Sequence, residues 1–260
     1  MKKFLLATVG LIALGIAAPA SAADLAARPY TKAPPAPVVP IYDWSGFYIG
    51  ADGGGASSRK CWDVTSFRGP VVPFGEGCRD ATGGVAGGQV GYRWQSASWV
   101  FGLEAQGDWA DLRGSNVSLF IPAWTNNSRI DAIGLFTGQV GYAWNNVLWY
   151  GKAGAAVTGD RYQGTVTATG ALFDFASETR WGGVVGTGVE YGFAPNWSVA
   201  VEYDHLFMDS RSITTTSLGV LAGIPAGGIF RTDSILQDVD MITVRINYRF
   251  NWGGPAIGRY

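Results

Sequence analysis

The chain has 260 residues, of which 15% are charged, 13% aromatic and 38 glycine, and its formal net charge is −1. That balance argues against a duplex-binding protein, which carries a basic face. Beyond residue 22 no apolar stretch reaches the ~20 residues that a membrane helix needs, and the length allows one large domain or two small ones.

The first element is an export signal over residues 1–22. Lys2 and Lys3 give a positive start, an apolar run follows from Phe4 to Ala18, and Ala20, Ser21 and Ala22 supply the small residues of a cleavage site. A membrane helix is the competing reading, but the run is too short to span ~30 Å of hydrocarbon at ~1.5 Å per residue. Cleavage after Ala22, or at the neighbouring bond after Ala23, takes the net charge from −1 to −3 by removing Lys2 and Lys3. Residues 23–43 then read as a periplasmic linker. Pro29, Pro34, Pro35, Pro37 and Pro40 deny it regular hydrogen-bonded structure.

From Trp44 to the end, residues 44–260, the pattern becomes that of half-exposed strands. Near 44–54, Phe47, Ile49 and Ala51 oppose Tyr48, Gly50 and Asp52. Near 83–95, Val90, Tyr92 and Trp94 oppose Gln89, Gly91 and Arg93. Near 98–109, Trp99, Phe101, Leu103, Ala105 and Trp109 oppose Glu104, Gln106 and Asp108. The fourth segment, near 129–144, sets Ile130, Phe136, Val140, Tyr142 and Trp144 against Arg129, Asp131, Thr137 and Gln139. Here Ile133 and Leu135 fall on the polar face, against the rule. Near 147–160, Trp149, Ala153, Ala155 and Val157 oppose Lys152, Thr158 and Asp160. Near 178–193, Trp181, Val185, Val189 and Tyr191 oppose Arg180 and Glu190. Near 197–209, Trp197, Val199, Val201 and Tyr203 oppose Glu202 and Asp204. Near 239–250, Ile242, Val244, Ile246, Tyr248 and Phe250 oppose Thr243, Arg245, Asn247 and Arg249.

The connections decide what eight such segments build. Long stretches near 55–82, 110–128, 161–177 and 210–238 alternate with short turns at Gln95–Ala97, Asn145–Asn146 and Ala194–Asn196. A soluble sandwich has no reason to alternate in this way. An up-and-down membrane barrel does, with short periplasmic turns and long outer loops. The expected fold is therefore all-β, an eight-stranded antiparallel up-and-down transmembrane barrel. Trp94, Trp99, Trp144, Trp149 and Trp197 flank the short turns on the apolar faces, which fits an aromatic girdle at a membrane boundary. The repeat GQVGYRW at 88–94 and GQVGYAW at 138–144 marks equivalent descending strands.

Cys61 and Cys78 fall in one long connection. In an oxidising compartment a disulfide is the expected state; two free thiols are the alternative, and a four-ligand zinc site lacks partners here. The inward-facing charges form a candidate lumen network of Asp52, Arg93, Glu104, Asp108, Lys152, Arg180, Glu190, Glu202, Arg245 and Arg249, with Asp204 and Arg129 on the same faces. Eight strands enclose an interior that side chains can just fill. Opposite charges should therefore pair as a plug, since an unpaired buried charge is costly; a catalytic carboxylate pair or an ion path is the rival. Strand eight closes against strand one and neighbours strand seven, so Asp52 and Glu202 are candidate partners for Arg245 and Arg249.

Four stretches resemble the small outer-membrane immunogenic β-barrel proteins of alphaproteobacteria, within the wider opacity-like and porin-like superfamily. They are ADLAARPYTKAPP at 23–35, YDWSGFYIGADGGG at 42–55, the repeated GQVGYxW, and INYRFNWGGPAIGRY at 246–260. The resemblance implies a cell outer membrane location, contact with outer-membrane lipid and lipopolysaccharide, and delivery to the barrel-assembly machinery through the C-terminal strand. Where the family's last strand carries a glycine shortly before its aromatic ending, this chain has Ile246, so Tyr248, Phe250 or Tyr260 could be the aromatic read during assembly.

No catalytic, metal or cofactor residues are expected. His205 is the only histidine, and it is followed by Leu206 and Phe207, so no His-x-Ser pattern exists for a lipid-modifying enzyme. A single histidine also gives haem little to bind. The glycine-rich pieces lack the GxxxxGK[ST] phosphate loop. The expected function is a surface barrel contributing to envelope structure and surface exposure. A small porin-like diffusion channel is the alternative, although a large open pore takes about sixteen strands.

Overall fold

The computed structural model describes residues 42–67, 70–119, 121–220 and 224–250, all within the compact unit Pro40–Tyr260. The export signal, most of the linker and the terminal Tyr260 lie outside the described residues.

Among the described residues nine strands follow in order: β1 (Gly46–Phe67), β2 (Pro70–Ser96), β3 (Trp99–Val117), β4 (Trp124–Trp144), β5 (Val147–Val166), β6 (Leu172–Ala194), β7 (Trp197–Phe207), β8 (Arg211–Ser217) and β9 (Ile229–Arg249). From β1 to β7 each pairs antiparallel with the next, β7 and β8 both pair with β9, and β9 returns to pair with β1 from Tyr48↔Arg249 to Phe67↔Arg231. The ring is closed, so no backbone edge faces lipid.

The ninth strand does not add a ninth stave. β7 pairs with β9 up to Phe207↔Asp238, and β8 resumes at Arg211↔Ile235. β8 is the continuation of β7 beyond a break at residues 208–210, where Asp209 has a positive φ of 44°. Eight staves therefore form the wall.

The long connections are mostly strand. β1 and β2 run on together well past residue 55, and Cys61 pairs in register with Cys78. The two are disulfide-bonded, with Cα atoms 4.0 Å apart. Sequence polarity hides these extensions. Above the membrane the outer face turns polar while the inner face mixes Trp62 and Val64 with Ser58 and Lys60, so alternation no longer marks a strand.

The three short connections are two-residue turns, and Ala97 and Asn145 both take φ of 53°. Asn tolerates this left-handed conformation; Ala adopts it at some steric cost. On the outer face the apolar belt of β3 runs from Trp99 through Phe101 and Leu103 to Trp109, all exposed. Ten residue steps at ~3.3 Å on a strand tilted by ~40° give about 25 Å, the height of an outer-membrane barrel's apolar band.

One parity assignment is corrected. Arg129 and Asp131 face outward and Ile130 is buried inside, whereas Ile133 and Leu135 are buried on the inner face that their parity gave them. The cause is a bulge in β4 between Ile130 and Ala132. One extra residue flips every side chain beyond it to the other face.

Leu103 and Val201 lie mid-belt and outward, and Thr137 is buried on the inner face. Arginine at either outward site should cost about 2–4 kcal/mol, whereas Thr137→Ser should cost less. Refolding midpoints in lipid vesicles measure this, and equal losses at all three sites would mean the belt is misplaced.

Candidate functional site

The inward faces of the staves stack the lumen in layers. At the tight-turn end Tyr42 and Trp44 enter the mouth and pack with Val100, Ala143, Leu148 and Tyr150. Above them lies the charged layer. Arg245 sits between two carboxylates, 2.7 Å from Glu104 Oε2 and in contact with Glu202 Oε2. Lys152 reaches the same two acids from β5, at 2.6 Å to Glu202 and 3.7 Å to Glu104, and Asp204 at 3.2 Å.

Two equivalent clamps hold the carboxylates. Tyr48 on β1, Gly91 on β2 and Glu104 on β3 are register neighbours, and Tyr48 Oη donates to Glu104 at 2.6 Å. Tyr150 on β5, Gly188 on β6 and Glu202 on β7 repeat the arrangement, with Tyr150 Oη donating to Glu202 at 2.6 Å. Each tyrosine crosses the strand where the glycine lacks a side chain. A Cβ at Gly91 would lie 2.5 Å from the Tyr48 ring, and one at Gly188 2.6 Å from the Tyr150 ring. Arg93 stacks beside both rings, at 4.5 and 5.5 Å, and pairs with Glu190 at 2.8 Å. Glu190 also accepts from Ser198 Oγ and from Asn247 Nδ2.

The remaining candidates sit apart. Asp52 is the register partner of Arg245 across β1 and β9, yet makes no ion pair with it among the described residues. The arginine's two ends are already taken by Glu104 and Glu202. Asp108 accepts from Gln106 at 3.0 Å. Arg249 lies at the tight-turn mouth, where it donates to the carbonyls of Pro195 (2.7 Å) and Ser45 (3.3 Å). Arg180 donates to the carbonyls of Met208 (2.9 Å), Asp209 and Ile235 (3.0 Å). It thus satisfies backbone acceptors released by the break between β7 and β8. Trp94, Trp99, Trp144, Trp149 and Trp197 all point outward near the tight turns and are half-exposed.

Over the charged layer lies a buried apolar layer that includes Val85, Leu112, Ile130, Ile133, Leu135, Val184, Leu206 and Met241. A second polar layer follows, in which Lys60 pairs with Asp160 at 2.7 Å. At the far end Arg231 pairs with Asp233 at 3.0 Å, near Phe173, Ile224 and Phe230. Sequence reasoning missed these upper layers and the tyrosine clamps. The repeat held half of a signal for the clamps: Gly91, in its first copy, is the register partner of Tyr48, whereas the glycine of the second clamp, Gly188, lies outside the repeat.

His205 Nδ1 lies 2.7 Å from Asp240 Oδ1 on the outer wall, and Tyr203 Oη donates to the same oxygen at 2.6 Å. No serine or cysteine contacts this histidine among the described residues.

A closed ring with an apolar belt outside, charges inside, tight turns at one end and long hairpins at the other defines a transmembrane β-barrel of the outer-membrane type. The chain belongs to the family described as outer membrane protein beta-barrel domain, whose model matches residues 8–250. It is 29% identical over 235 residues to the 31 kDa outer-membrane immunogenic protein of Brucella melitensis, covering 82% of this chain and 90% of that one. It is 32% identical over 178 residues to a 22 kDa outer membrane protein of Rhizobium leguminosarum, covering 68% and 70%. Among solved structures it is similar to the outer membrane protein OprG from Pseudomonas aeruginosa, at 14% identity, 79% and 97% coverage and a TM-score of 0.46. The protein is thus an outer-membrane protein.

Replacing Arg245 by serine should leave Glu104 and Glu202 at the centre of the charged layer with Lys152 as their one shared cation. Removing one partner of a buried pair typically costs about 3–5 kcal/mol. The refolding midpoint should fall accordingly, and Gly91→Ala should also lower it by displacing Tyr48. An unchanged midpoint for Arg245→Ser would show that the layer contributes little to stability.

Proposed function

We propose that this protein is a sealed barrel that contributes to envelope structure and displays its long hairpins at the cell surface, without conducting solutes and without catalysis. The observation that carries this reading is the apolar layer between two charged layers. An ion crossing it would leave its polar partners behind, and an unpaired charge in apolar surroundings is strongly disfavoured. The immunogenic relatives support surface exposure. The wall position of the His205–Asp240 contact supports the absence of acyl-transfer chemistry, which needs a positioned nucleophile beside the base.

In this reading residues 1–22 are removed on export, and residues 23–43 form a tether on the periplasmic side. The tight turns face the periplasm and the hairpins the exterior, the ordinary orientation of such barrels. The terminal strand, β9, and the residue after it present the outward aromatics Tyr248 and Phe250 to the assembly machinery. The belt contacts membrane lipid and lipopolysaccharide.

Two measurements test the proposal. A tag inserted between Thr169 and Gly170, at an exposed hairpin tip, should be reached by antibody on intact cells. A tag at the Asn145–Asn146 turn should stay hidden until the envelope is opened, and the reverse pattern would overturn the orientation. In planar bilayers the refolded protein should give at most a small, flickering conductance, and Arg245→Ser, which leaves the apolar layer in place, should not turn it into a large, steady one. A large, steady, ion-selective conductance in the parent would reject the sealed barrel in favour of a channel.

A further inference from the structure

The bulge that turns Arg129 outward also places it in a row. Arg113 on β3 is the register partner of Arg129 on β4, and Arg129 is the register partner of Arg161 on β5. All three lie on the outer wall, with side chains 67%, 43% and 61% exposed. Like charges directly opposite on neighbouring strands are destabilising, so three arginines in register need anions.

Two aspartates answer part of that need. Asp111 lies 2.7 Å from Arg113 and 3.1 Å from Arg129, and Asp131 lies 2.7 Å from both Arg129 and Arg161. The hydrogen bond from Arg113 holds the Asp111 carboxyl below its ordinary range, so this acid stays ionised. Three guanidinium groups facing two carboxylates still leave one positive charge. They also bring five N–H donors each against four carboxylate oxygens. Arg113, Arg129 and Arg161, with Ser115, Asn127 and Gln163, line an open groove of about 440 Å³.

The height of the groove identifies its surroundings. Arg113 lies two outward positions above Trp109, about 10 Å at the strand rise and tilt used above. Arg161 lies two outward positions above Val157. This is where the apolar belt ends and lipid headgroups begin.

We propose that Arg113, Arg129 and Arg161 form a binding site on the barrel's outer wall for the phosphorylated sugar headgroup of an outer-leaflet glycolipid. Guanidinium groups match phosphate oxygens in paired, charge-assisted hydrogen bonds, and a phosphate here supplies the missing negative charge. The physiological role rests on the orientation given under the proposed function, but binding in detergent does not. A failed binding test and a failed tag test are therefore separate results.

The test uses the refolded full-length protein in detergent, titrated with bisphosphorylated lipid A, with the same lipid after phosphatase treatment, and with inorganic phosphate. Binding is read by native mass spectrometry and by the shift in thermal unfolding. The phosphorylated lipid should bind, and removal of its phosphates should weaken binding by about tenfold or more, the size of one lost charge-assisted hydrogen bond. The double variant Arg113→Gln, Arg161→Gln should lose a similar factor, while Arg59→Gln, on β1 away from the groove, should not. If the double variant fails to refold, the single variant Arg161→Gln is measured instead. Equal binding of both lipid forms, or unchanged binding in the variant that folds, would overturn the site. Inorganic phosphate binding as tightly as the lipid would overturn the glycolipid assignment.

Discussion

Closure of the backbone ladder between β1 and β9 is the constraint on which the rest depends. In hydrocarbon no water can satisfy an open strand edge, so a sheet survives there only as a complete ring. Once the ring exists, each side chain has two choices, lipid or lumen. The outer face takes Phe, Val, Ile, Leu and Trp; the inner face takes everything that needs a partner. The break between β7 and β8 tests the rule within one molecule. Where the ladder lapses, the Arg180 guanidinium supplies donors to the carbonyls of Met208, Asp209 and Ile235.

An eight-stave ring is narrow, and that narrowness shapes the lumen chemistry. Arg245 can touch acids from β3 and β7 at once because the interior is one side chain wide at that level. The tyrosine clamps exploit the same geometry. Glycine at 91 and 188 lets a ring cross a strand and hold a carboxylate two staves away. Because each acid is gripped by a hydroxyl as well as by cations, the layer is positioned as well as neutralised. Buried ion pairs often contribute little net stability over apolar packing. Here the apolar layer directly above supplies the packing, and the charged layer fixes which residue faces which.

The outer wall above the belt follows a different logic. There the strands continue in water, so both faces can be polar and bulges carry little risk. The bulges near Asp111 and Asp131 use that freedom to bring two acids and three arginines onto one patch of wall at the membrane boundary. The same change of solvent explains why the long hairpins, including the disulfide-linked pair of β1 and β2, are strands without an alternating hydropathy.

The sequence by itself determined the membrane-spanning half. Period-two alternation from Phe47 to Ala51, from Trp99 to Leu103 and from Ile242 to Tyr248 reads directly as lipid against lumen, because lipid imposes apolarity on one face at every second residue. The alternation of long and short connections gave strand direction and number. Tertiary structure decided what no hydropathy pattern encodes. The bulge at Asp131 reverses parity without any local signature, so Arg129 leaves the lumen and Ile130 enters it. Partner choice depends on stagger between distant staves, which is why Arg245 meets Glu104 as well as Glu202 and not its register neighbour Asp52. Where water replaces lipid outside the wall, the alternation ceases, and only three-dimensional pairing reveals that the strands go on.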